Sequence, residues 1–107
     1  MITVRFQREG EAYTGFSVSG HAGLAPAGQD VLCAAVSSAA YMTVNTLTDV
    51  CGIRCETDVR DGGMTVVLQS DSSSAQELLQ GFALHMRALA REYPKQLKII
   101  YGGNRHA

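Results

Sequence analysis

A chain of 107 residues has the length of one domain and can bury roughly two-thirds of its unfolded surface in one modest core. With 46% hydrophobic and 18% charged residues it is globular rather than disordered, and a net charge of −1 with nine dispersed Lys and Arg offers no basic field for a nucleic-acid backbone. No apolar run approaches the ~20 residues that span a bilayer, residues 1–10 alternate and carry Arg5 and Arg8 unlike a secretory leader, and an odd count of three cysteines suits a reducing compartment; the expectation is a cytoplasmic protein with no membrane partner.

Ile2, Val4 and Phe6 alternate with Thr3, Arg5 and Gln7, the pattern of a half-buried strand. Glu9-Gly10-Glu11 reads as a turn, and Phe16 and Val18 alternate within a second strand, a hairpin partner of the first. Residues 20–29 hold three glycines and Pro26 and are predicted to be a loop, long enough in so small a domain to suggest function. Asp30 is the predicted N-cap of a helix in which Leu32, Val36, Ala39, Thr43, Leu47 and Val50 recur at three- and four-residue steps, ending near Gly52. Small residues crowd the first half of that helix (Ala34, Ala35, Ser37, Ser38, Ala39, Ala40), so a second copy of it would be able to pack close.

Cys55, Thr57 and Val59 alternate in a third strand, and Asp61-Gly62-Gly63 is a hairpin signal. Met64, Val66 and Leu68 alternate in a fourth, with Val67 also apolar, which predicts cover on both faces. Ser74-x-x-Glu77 has capping-box form, and Leu78, Leu79, Phe82, Met86, Leu89 and Tyr93 mark the face of a second helix that Pro94 stops. Leu97 to Tyr101 is a last strand before a polar tail. The order ββαββαβ predicts a single α+β domain over residues 1–107, with two helices packed on a mostly antiparallel sheet.

Chemistry concentrates in residues 20–37. Cys33 falls in the first turn of a helix capped by Asp30, where unpaired backbone N–H groups and the positive helix end favour a thiolate and offer an oxyanion site. The opposing reading is a small buried core residue, the usual state of a free cysteine. His21 has eleven residues between it and Cys33, a tether that allows the imidazole to reach the sulfur as a general base; the plain alternative is a solvated loop histidine. Ser37, four residues after Cys33, shares its helix face and either hydrogen-bonds substrate, thiolate or partner chain, or simply packs. Asp30 either orients His21 as a third triad member or only caps the helix, and both roles are compatible. Cys51 and Cys55 lack the spacing of a zinc pair and read as core thiols, and His85 reads as a half-buried packing residue. No metal site and no cofactor motif is expected.

The run G-H-A-G at Gly20, His21, Ala22 and Gly23, followed by G-Q-D-V-L-C-A-A-V-S from Gly28 to Ser37, resembles the bacterial ribosomal-processing cysteine proteases. The resemblance implies a small homodimeric endopeptidase that removes a short N-terminal extension from a large-subunit ribosomal protein, cutting after an apolar, aromatic-containing segment. It places the nucleophile on Cys33, its histidine partner on His21, the family serine on Ser37 and the family aspartate on Asp30. The glycines Gly20, Gly23 and Gly28 of the loop are read, from the loop itself, as the residues that let it close over substrate. Two readings of another class stand beside it: a non-catalytic module docking on a ribosomal partner, and a redox-sensing thiol protein.

Overall fold

Strands β1 (Ile2–Glu9) and β2 (Ala12–Gly20) form the predicted hairpin because alternate side chains of each have a place in the core. Val4 lies opposite Val18 and Phe6 opposite Phe16, and Ile2, Val4, Phe6 and Phe16 are all but sealed from solvent. The structure is a computed structural model and describes residues 1–20 and 26–103. Helix α1 (Pro26–Asn45) runs into a π-helical turn (Thr46–Val50), followed by β3 (Cys55–Arg60), β4 (Gly63–Leu68), α2 (Ser73–Glu92) and β5 (Leu97–Gly103). The sheet order is β3-β4-β2-β1-β5, antiparallel throughout except for the β1–β5 pair. This is the expected ββαββαβ fold, two helices on a mostly antiparallel five-stranded sheet.

One core joins both helices to one sheet face. At its centre the Phe82 ring of α2 meets Phe6 at 5.5 Å and Phe16 at 4.7 Å between centroids. The register of β1 and β2 slips between Gln7 and Arg8, leaving Thr14 as the extra residue, and beside it the Gln76 amide of α2 bonds the backbone of Tyr13. Gln76 accepts from the Tyr13 N–H and donates to the Tyr13 carbonyl, each at 2.8 Å, so both backbone groups of Tyr13 are satisfied by one side chain. Ser72 caps α2, its hydroxyl accepting from the Ala75 N–H at 3.1 Å; the expected cap at Ser74 is the second residue of the helix. His85, expected half-buried, is exposed.

Four further expectations are corrected. Residues 26–29, expected in a loop, begin α1, because proline is favoured in a first helical turn, where its missing N–H costs nothing and its fixed φ suits the helix. Val50 is 78% exposed. The π turn, closed by the Cys51 N–H on the Thr46 carbonyl at 2.9 Å, widens the coil and rotates Val50 off the apolar stripe of Leu32, Val36, Ala40, Val44 and Leu47. Val67 is exposed, because the helices cover only the face that carries Met64 and Val66. The stretch Val31–Val50 is long and apolar enough to cross a membrane, against the expectation of no such run. Its buried stripe is part of the core cluster, while Val31, Tyr41, Met42 and Val50 are exposed.

Candidate active site

The antiparallel hairpin of β3 and β4 extends beyond the cover of α1. Every residue of β3 after Cys55 is exposed, and between this hairpin end and α1 lies a cleft of about 240 Å³. Along α1 it is bordered by Cys33, Ser37 and Tyr41, spaced at i, i+4 and i+8 and therefore on one face of the helix. The opposite wall is Val59 and Met64, with Val18 beneath. Strand alternation sets Val59 on the helix side of the sheet, opposite Met64, and turns Asp58 and Arg60 to the other side, where they form an ion pair. Val59 and Met64 thus face the helix from this hairpin end, and Arg60 borders the cleft at its rim.

Backbone closes one end of the cleft. The Gly20 N–H donates to the Gly62 carbonyl at 3.1 Å, tying the end of β2 to the turn between β3 and β4. Gly20 has φ of +91°, and a Cβ there would sit 2.3 Å from the Met1 carbonyl oxygen, so only glycine lets the chain leave the sheet at this point without rearrangement. The residue that follows Gly20 is His21, so the segment bearing the imidazole departs from the same cleft that holds the Cys33 sulfur.

Cys33 is half-buried, in contact with the core on one side and with the cleft on the other. Its setting differs from the expected one. It is the eighth residue of α1, not part of the first turn, and Asp30 is the fifth residue and not the N-cap. The N–H groups of a helix interior are already bonded four residues back, so neither unpaired helix-start donors nor the positive helix end lies at the sulfur. The hydroxyl one turn on, Ser37, is exposed and has no hydrogen-bond partner among the described residues, which leaves it available to a bound molecule. Gly28 is helical rather than in a loop. The expected roles of His21 and Gly23 lie outside the described residues.

Tyr41, Val59 and Met64 were not among the residues expected at the site. The signal for Tyr41 was present, since it continues the Cys33–Ser37 row by one more turn. The signal for Val59 was an apolar residue near the end of a strand whose edge position the sequence does not reveal. The other two thiols are set apart from this cleft. Cys51 packs against the core after the π turn, and Cys55 opens on a wider hollow of about 620 Å³ between Thr48 and Gln69, where burial pushes its thiol up and so away from nucleophilic use.

A family model described as cysteine protease Prp matches residues 1–98. The ribosomal processing cysteine protease Prp of Bacillus subtilis is 26% identical over 91 residues, covering 78% of this chain and 81% of its own. Among solved structures, SMU.848 from Streptococcus mutans superposes with a TM-score of 0.81 at 27% identity, covering 97% of this chain and 96% of the other. The S. aureus ribosomal processing protease Prp in complex with a substrate peptide superposes with a TM-score of 0.82 at 25% identity, covering 94% and 99%.

Proposed function

The chain belongs to the Prp family of cysteine proteases, and from that premise we propose that it is a Cys33–His21 endopeptidase that trims the N-terminal extension of a large-subunit ribosomal protein. The observation that carries the reading is the shared cleft: the half-buried Cys33 sulfur borders the same hollow as Gly20, the residue from which the His21 segment departs. The relative from S. aureus, which holds a substrate peptide, supports a peptide as the ligand.

Since Cys33 lies two turns inside α1, away from the free donors of the helix start, activation falls to the imidazole. His21 takes the Cys33 proton, and the thiolate attacks the scissile carbonyl carbon. The carbon–nitrogen bond then breaks, with the imidazolium returning its proton to the leaving amine. Water, deprotonated by His21, attacks the thioester and releases the new carboxylate and the free thiol. The Ser37 hydroxyl donates to the carbonyl oxygen as it gains charge, in place of the amide donors expected at a helix start. Asp30, three residues before Cys33 on α1, orients the imidazole. The protein works in the cytoplasm as a homodimer, and the exposed apolar residues Val31 and Met42 on a charge-free stretch of α1 suit a face covered by a second copy.

Replacing Cys33 by Ser or Ala tests this. Cleavage of a peptide copied from the N-terminus of the ribosomal substrate is expected to fall at least a thousandfold, with the melting temperature nearly unchanged. Iodoacetamide near neutral pH is expected to modify Cys33 ahead of Cys51 and Cys55, the last held protonated by burial. Turnover retained in either variant overturns the assignment.

A further inference from the structure

The protein has four tyrosines, and three of them have work in the fold. Tyr13 is buried and packs edge-on against Phe6 at 5.5 Å. Tyr101 stacks on Phe6, lies under the Arg8 guanidinium and accepts a hydrogen bond of 2.6 Å from Arg87. Tyr93 caps α2 and packs against the core. Tyr41 does none of this. It is 45% exposed, joins no aromatic pair, and its hydroxyl has no partner among the described residues. It belongs to the wall of the Cys33 cleft, with the 51% exposed Val59 also lining that cleft. Apart from Arg60, which also borders it, the hollow is lined by uncharged residues, and an aromatic ring and an aliphatic side chain left half-exposed on it are surfaces that gain from burial by a ligand and give the fold little in return.

Distance along the helix says which part of a ligand meets the ring. From Cys33 to Tyr41 is eight residues, about 12 Å at ~1.5 Å per residue. An extended peptide covers that span in three to four residues at ~3.3 Å each. We infer that Tyr41 is a specificity-determining residue that reads one apolar side chain of the substrate three to four positions from the scissile bond. The inference rests on the endopeptidase reading and adds to it a substrate path along the Cys33–Ser37–Tyr41 row. Because the ring touches a side chain remote from the reacting carbonyl, it contributes equally to the ground and transition states, and its loss appears in KM rather than in kcat.

The test uses quenched fluorogenic peptides copied from the ribosomal substrate, with alanine placed in turn at each of the four positions on either side of the cut. These are measured with the wild-type chain, Tyr41→Phe and Tyr41→Ala. Tyr41→Ala is expected to raise KM about tenfold with kcat unchanged, and Tyr41→Phe to retain most of the affinity. For the one peptide whose alanine stands three or four positions from the cut, wild type and Tyr41→Ala are expected to converge. A uniform loss on every peptide, or convergence at a position adjacent to the cut, overturns the inference while leaving the protease intact. Failure of the wild-type chain itself to cleave any peptide overturns both.

Discussion

The two helices are equally long and sit on the same sheet, yet they are built to different ends. Helix α2 is accounted for almost residue by residue by packing. Ala75, Leu79, Phe82, Ala83 and Met86 fill the core, Ser72 and Tyr93 close its ends, and Glu77, Arg87, Arg91 and Glu92 are set in a largely polar remainder. Helix α1 buries a comparable stripe, but residues 31–48 contain no charge at all, and Cys33, Ser37 and Tyr41 border a cleft instead of filling the core. What the fold does not require of a helix is where its chemistry is to be sought, and by that measure α1 is the helix that carries the proposed site.

Mutation breaks or sharpens that contrast. Phe82→Ala removes the ring that touches both Phe6 and Phe16 at the centre of the core, and is expected to cost about 3–5 kcal/mol, a large share of the stability of a domain this size. Ser37→Ala removes an exposed hydroxyl with no partner among the described residues. Its expected effect on stability is within about 0.5 kcal/mol, while kcat falls tenfold or more if the hydroxyl meets the developing oxyanion. Denaturant titration and steady-state kinetics on both variants separate the two roles. Activity lost with Phe82 at temperatures where the variant is still folded, or stability lost with Ser37, would blur the division.

The sequence revealed the fold more fully than the site. Period-two and period-four patterns are set by burial, so Val4, Phe6, Leu32, Val36, Leu79 and Met86 announced their elements and faces. Boundaries governed by local backbone chemistry were harder to read. Pro26 and Gly28 look like loop residues, yet Pro26 starts α1, and that shift carries Cys33 from the first helical turn to the end of the second. The site depends on contacts between segments distant in the chain. The Gly20–Gly62 hydrogen bond and the meeting of Val59 with the α1 row depend on strand order, which no local pattern encodes. Gln76, whose amide completes the pairing of β2, carries no sequence signal at all.

Gly20→Ala tests whether the cleft half is free of structural duty. The new Cβ would meet the Met1 carbonyl, and the backbone would keep a φ of +91° that alanine adopts only under strain. The expected cost is about 2–3 kcal/mol, read from the denaturation midpoint, together with reduced cleavage because the His21 segment leaves the sheet at this residue. A stability loss without any kinetic effect would make Gly20 a fold residue alone and detach the sheet end from the active cleft.

The smallest expected effect is also the sharpest probe of the contrast, because it concerns a residue of α2 that, like the exposed Leu84, packing leaves unexplained. Gly81 stands in the middle of that helix, exposed, and a Cβ there would meet nothing within 4 Å. Alanine is therefore expected to stabilise the protein by about 0.5–1 kcal/mol through helix propensity, a rise of a few degrees in Tm by thermal melting. If that rise comes with unchanged turnover and an unchanged oligomeric state, Gly81 is simply a tolerated cost and α2 is scaffold throughout. If the variant is more stable yet loses activity or changes its association, something outside the described chain must approach α2 closely at this point, and the reading of α2 as scaffold fails.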